Sequence, residues 1–233
     1  MNHHQFPEQM VLDFDGVIVD STGIKTEAFD LIFSRYPEVH TQALEHHLTQ
    51  KGVSRFDKFH RLVFDLLGRD DSGMVQALAD EFGRIVEERI RDCPFVPGAE
   101  HFLESWHPIL PLFIASATPQ EELLRIVRYR RLSGYFRRVL GGPMRKAELL
   151  RGVLNETGSP PHTLMFVGDS GIDLEAAEEV GVPFLGVGPK RCFPPEVRCF
   201  ADLHALHQHL IRWKEQGLTE EGYIGSGPPL AEA

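Results

Sequence analysis

The stretch VLDFDGVIVDS, residues 11–21, opens like a buried strand and then sets three carboxylates, Asp13, Asp15 and Asp20, close together. Neighbouring carboxylates repel and are costly to desolvate, so the pattern asks for a cation or a proton transfer that makes use of it. Asp13 and Asp15 stand two apart at the strand end and would share a face if the strand continued. Gly16 lets the chain turn away and leaves both at an open rim.

Outward from this stretch, the same kind of segment recurs. MVLDFD (10–15), PLFIASA (111–117), TLMFVGD (163–169) and PFLGVG (183–188) are short apolar runs ending in small or acidic residues. Between them TPQEELLRIVRYRRL, RKAELLRGVLNETG and SGIDLEAAEEVG carry apolar residues three and four apart, with Gly near the stops. Alternating strands and helices predict an α/β fold, a parallel sheet covered on both faces and wound by right-handed crossovers. Ligands of such sheets sit at the carboxyl ends of the strands, where the acidic and hydroxyl residues stand here.

One segment breaks the alternation. From Gly23 to Arg91 there is no strand pattern, and KTEAFDLIFSRY, QALEHHLTQ, SRFDKFHRLVFDLL and GMVQALADEFGRIVEERI read as four amphipathic helices. The α/β pattern resumes after CPFVPGA, whose two prolines mark a linker. The expected organisation is a discontinuous α/β core, residues 1–20 and 94–216, interrupted by a helical unit, residues 21–93. A loose tail over residues 217–233 completes it. Asp20 is expected to cap or hinge the first inserted helix. FVPGAEHFLESW and YRRLSGYFRRV read as core and surface of the α/β unit, with the arginines mostly solvated.

Composition narrows the class of partner. At 233 residues, 42% apolar and 25% charged, the chain can bury a substantial core. A formal charge of −10 argues against nucleic acid or an anionic membrane as partner, so an anionic substrate must be held by a few placed cations. Cys93, Cys192 and Cys199 form no C-x-x-C pattern, and reduced thiols in a cytoplasmic protein are the simplest expectation. No apolar run has the length of a signal peptide or a membrane span.

Three further motifs bear on the carboxylate pair. LFIASATP ends a strand with Ser116, a hydroxyl donor suited to a phosphoryl oxygen; GGPMRKAELL puts Lys146 at a helix start, where the dipole disfavours a cation; FVGDSGIDLEAA ends a strand with Asp169 and sets Asp173 one turn later. Each has a purely structural alternative, as a helix cap or a solvated lysine. Their joint occurrence at strand ends is harder to explain that way. A hard divalent cation, Mg²⁺ above all, would relieve the repulsion of the aspartates and keep waters for a substrate phosphate.

DFDGV, IASAT, Lys146 in GGPMRK and GDSGID together resemble the four motifs of the haloacid dehalogenase-like superfamily, over about Met10 to Leu210. A helical cap inserted after the first strand is similar to the subgroup of phosphoglycolate phosphatase and β-phosphoglucomutase. The resemblance implies a Rossmann-like core, Mg²⁺ and an aspartyl-phosphate intermediate. It makes Asp13 the nucleophile and a metal ligand, and Asp15 the acid and base with its carbonyl on the metal. Ser116, Ala117 and Lys146 would hold the phosphoryl oxygens, and Asp169 would complete the metal site with Asp173 as ligand or support. Dehalogenation is not expected, because dehalogenases of this kind lack an aspartate at the position of Asp15.

KGVSR, residues 51–55, resembles the cap loop of β-phosphoglucomutase, which implies that Arg55 meets a second anionic group of the substrate. Ser54 as a helix N-cap with Arg55 on the surface is the structural alternative. Lys25 stands where that mutase has histidine, and GDSGID departs from its Glu-Asp pattern, so a phosphatase is favoured. Lys25 and Arg55 are expected to face the far end of the substrate. The expected partner is a small phosphorylated metabolite, an organic acid or sugar phosphate, with the chain a monomer or weak homodimer. A phosphosugar mutase and a non-catalytic binding protein on the same fold are the alternatives. His46, His47, His204, His207 and His209 are assigned no metal, since hard phosphate chemistry prefers oxygen ligands.

Overall fold

The computed structural model describes residues 6–49 and 53–216. They form two compact units, one running through Asp20 and resuming at Pro94, the other spanning Ser21–Cys93. The tail assigned to residues 217–233 lies outside the described residues, as do Lys51 and Gly52 of the KGVSR loop.

The first unit is a six-stranded parallel sheet. Its strands are β1 (Gln9–Leu12), β2 (Leu112–Pro119), β3 (Arg138–Gly142), β4 (Leu164–Gly168), β5 (Phe184–Val187) and β6 (Cys199–Phe200). They lie in the order β3-β2-β1-β4-β5-β6. β1 is central, with Val11 opposite Phe113 on one side and Phe166 on the other. Met10, Val11 and Leu12 are completely buried, as a strand covered on both faces requires. The helices of this unit are α5 (Ala99–Trp106), α6 (Gln120–Tyr129), α7 (Lys146–Thr157), α8 (Gly171–Val180) and α9 (Leu203–Gln216). Leu149, Leu150 and Val153 of α7 and Leu174 and Ala177 of α8 share a core with Val11, Phe113 and Phe166. Elsewhere Phe6 lies against Trp106 and Trp213, joining the N-terminal segment to α5 and α9.

The sequence pattern did not mark β3 or β6. β3 is an edge strand that begins with exposed Arg138 and buries only its two glycines, and β6 is two residues long. Pairing of β2 with β3 shifts register between Ala115 and Pro119. The Gln120 side chain fills the gap, donating to the Val139 carbonyl at 3.0 Å and accepting from the Gly141 N–H at 2.5 Å.

Where the chain leaves this unit and returns, Val19 bridges to Phe95 and the Asp20 N–H donates to the Pro94 carbonyl at 2.9 Å. Asp20 does not cap the next helix. Ser21 holds that position and makes no side-chain capping bond.

The regular elements among the second unit's described residues are all helical: α1 (Thr22–Phe33), α2 (His40–Thr49), α3 (Arg55–His60), which continues as a π-helical turn over Arg61–Leu66, and α4 (Ser72–Asp92). The N-caps are local: Ser54 accepts from the Asp57 N–H and Asp71 from the Met74 N–H. Phe29, Phe33, Phe59 and Phe82 cluster with ring centroids 4.2–6.0 Å apart. Phe29 and Phe33 are one helical turn apart, the spacing that lays both on one face of α1.

Candidate active site

β1 ends at Leu12, and the chain turns at once. The Gly16 N–H donates to the Val19 carbonyl, and the N–H groups of Ile18 and Val19 donate to Phe14. Gly16 has φ +78°, and a methyl group there would collide with the Asp169 carboxylate from the end of β4. Only glycine satisfies both the left-handed backbone and the close approach. A side chain at Gly168 would in turn collide with Asp173. Two glycines thus let three carboxylates crowd the strand ends.

Asp13, Asp169 and Asp173 each offer an oxygen within 4.8 Å of the others. Asp13 is 4% exposed; one of its oxygens accepts from the Phe14 N–H at 2.7 Å and the other from Lys146 Nζ at 2.5 Å. Lys146, the first residue of α7, also donates to Asp173 Oδ1. Two carboxylates therefore offset the unfavourable position of the lysine at the positive end of a helix. Asp173 is completely buried, and its Oδ2 accepts from the N–H and hydroxyl of Ser170, the N-cap of α8. Ser170 is thus the cap, with Asp173 as its reciprocal partner, and both Asp173 oxygens already carry hydrogen bonds.

Burial pushes the Asp13 carboxyl well above the usual carboxylate range; Lys146 opposes this, while Asp173, Asp169 and Asp15 add to it. Burial alone would lower Lys146, but Asp13 and Asp173 outweigh it and hold the lysine above its ordinary value. The centre is an ammonium shared between two carboxylates, with further negative charge still to be neutralised.

β2 supplies the hydroxyls. Ser116 is completely buried and accepts from the Thr118 N–H at 3.1 Å, and Thr118 Oγ1 donates to Asp15 Oδ2 at 2.9 Å. Ala117, between them, is exposed. The α/β unit thus brings together Asp13, Asp15, Ser116, Lys146, Asp169 and Asp173. Thr118 and Gln120 escaped the sequence reading. The signal for Thr118 was its i+2 spacing from Ser116, which on a strand points both side chains the same way.

Arg55 and Lys25 belong to the helical unit. Arg55 opens α3 with its guanidinium 5.1 Å from the centre of the Phe82 ring, and Lys25 lies on α1. The ammonium of Lys58, a residue 7% exposed, lies 3.0 Å from His47 Nδ1 and 5.3 Å from the centre of the Phe29 ring. His47 Nε2 is 3.2 Å from Thr26 Oγ1. Burial, with Lys25 adding to it, lowers Lys58 to about 8; burial, then Lys58 and His46, lowers His47 to about 4. In the α/β unit His207 accepts from the indole N–H of Trp106 at 3.1 Å, a structural bond.

The geometry has the form of a phosphoryl-transfer centre, and comparison with known proteins agrees. Residues 10–187 match the model of the haloacid dehalogenase-like hydrolase family, and the chain belongs to that family. It is similar to a phosphorylated carbohydrates phosphatase of Thermotoga maritima, 26% identical over 181 residues covering 75% of this chain and 82% of the relative. It is also similar to a phosphoglycolate phosphatase of Pseudomonas syringae pv. tomato, 28% identical over 189 residues covering 76% of this chain and 68% of the relative. Among solved structures, a haloacid dehalogenase-like family hydrolase from Streptococcus pneumoniae superposes with a TM-score of 0.68 at 17% identity, covering 90% of this chain and all of the other. The chain is accordingly an enzyme of the phosphoric monoester hydrolase class. Among the described residues, no helix is long and apolar enough to cross a membrane.

Proposed function

We propose that this enzyme hydrolyses a small phosphorylated metabolite through a phosphoryl group carried on Asp13. The observation that supports this most is the pairing of two differently held aspartates. Asp13 is buried against Lys146, while Asp15, two residues on, is partly exposed and held by a neutral hydroxyl. In the first step an Asp13 oxygen attacks phosphorus and the ester P–O bond breaks, while Asp15 gives its proton to the departing alkoxide. In the second, Asp15 takes a proton from water as that water attacks phosphorus. The bond to Asp13 breaks, inorganic phosphate leaves and both aspartates are restored. Lys146 and Ser116, with Ala117 exposed between Ser116 and Thr118, would hold the phosphoryl oxygens.

The donor set fits a hard divalent cation such as Mg²⁺: three carboxylates converge, and burial with too little positive charge raises Asp13. Asp13, Asp169 and the carbonyl of Asp15 would hold it, with Asp173 holding Lys146 in place. When bound, the ion would neutralise charge on the transferred phosphoryl group. The related phosphatases act on phosphorylated carbohydrates and on phosphoglycolate, which supports a sugar phosphate or a phosphorylated organic acid as substrate. In that reading residues 21–93 act as a cap in which Arg55 and Lys25 read the far end of the molecule.

Phosphate release from a panel of phosphorylated sugars, organic acids and nucleotides, with Mg²⁺ and with chelator, tests the proposal. Metal-dependent release that vanishes in Asp13→Asn is expected. Isomerised sugar phosphate without free phosphate would make the enzyme a mutase instead.

A further inference from the structure

We propose that Thr118 is a positioning residue that presents Asp15 for proton transfer to the leaving group. The inference rests on Asp15 being the acid and base described above. Thr118 is 3% exposed at the end of β2, and its two donors point to different parts of the site. Its N–H donates to Ser116 Oγ at 3.1 Å and its hydroxyl to Asp15 Oδ2 at 2.9 Å. Because Ser116 Oγ already accepts from a main-chain donor, its own hydrogen is directed onward, as a phosphoryl-binding hydroxyl requires.

An ionised carboxylate only accepts, so the threonine hydroxyl is the donor in its bond to Asp15. When Asp15 is ionised its Oδ2 is thus held by a fixed donor, ready for the proton it takes up. The bond fixes the direction of the Asp15 side chain. It joins residues 103 positions apart, the turn after β1 and the end of β2. Proton transfer is steeply sensitive to such placement.

Valine in place of Thr118 keeps the shape and the N–H that serves Ser116, and removes only the hydroxyl. The test compares kcat/KM, which reports the step in which Asp13 is phosphorylated, on two esters. One is the enzyme's best alkyl phosphate, whose alkoxide must be protonated. The other is 4-nitrophenyl phosphate, whose phenolate leaves without a proton. Thr118→Val is expected to lower kcat/KM about 10- to 100-fold on the alkyl ester, through kcat rather than KM, and no more than about threefold on the aryl ester. Thr118→Ser should restore most of the loss. Equal losses on both esters, or no loss on either, would overturn the inference. Should Thr118→Val fail to fold, Thr118→Ala read in the same ratio decides it. Asp13→Asn is the control for the underlying reading: retained turnover in that variant would bring down the site assignment and this inference with it.

Discussion

Each unit of this chain buries a lysine, and each compensates the buried charge in a different way. In the α/β unit Lys146 lies between the carboxylates of Asp13 and Asp173 and bonds to both. In the helical unit Lys58 faces a neutral imidazole, a main-chain carbonyl and an aromatic ring, and burial draws its proton affinity down to about 8. The first solution accumulates charge at strand ends, where the proposed phosphoryl transfer would use it. The second lowers the cost of burial by making the cation easier to discharge. Charge kept against the cost of burial is the better pointer to chemistry, since a purely structural role would favour its removal.

Substitution of Asp13 has the largest expected effect. Asp13→Asn should lower phosphate release by on the order of 10⁴ or more, as loss of a nucleophile does, while the fluorescence of Trp106 and Trp213, both in the α/β unit, stays native. Lys146→Met should leave Asp13 and Asp173 without their shared cation. With chelator present this is expected to cost ~3–5 kcal/mol of unfolding free energy, read by urea titration of the same fluorescence, and added Mg²⁺ should recover part of it. Gly16→Ala forces a side chain into a left-handed backbone against Asp169. A loss of about 1–3 kcal/mol by calorimetry is expected, together with half-maximal activity at a higher Mg²⁺ concentration.

The smallest effect is in the helical unit. The folded value of His47, about 4, lies below its ordinary 6.5, so the unfolded chain binds more protons between these values. The stability contributed there is full above pH 6.5 and falls as the pH drops toward 4. His47→Gln should flatten that part of the pH profile of urea unfolding followed by circular dichroism. Lys58 acts in the same sense between pH 8 and 10.5, so stability should rise with pH there in the wild type and not in Lys58→Met.

Much of this was legible because strand ends are punctuated. Apolar runs closing on Asp13, Ser116 and Asp169 announce both the sheet and the rim where the candidate site lies. β3 was not legible: an edge strand that starts with arginine and ends in glycine has no apolar run to detect. The π-helical turn at Arg61–Leu66 looks like any amphipathic helix in one dimension. Asp20 looked like a cap because aspartate favours that role, yet the chain crossing beside Pro94 fixes its backbone and gives the position to Ser21. The pairs Thr118–Asp15 and Lys58–His47 join residues distant in sequence, so only the fold discloses them.

Asp13 is the residue proposed to carry the phosphoryl group. Acid quenching of the enzyme in mid-turnover, followed by mass spectrometry of its peptides, tests this directly. A single added phosphoryl group on the peptide containing Asp13, lost on mild alkaline treatment and absent from Asp13→Asn, is the predicted result. Rapid turnover with that peptide unmodified, or with the phosphoryl group on another residue, would contradict it.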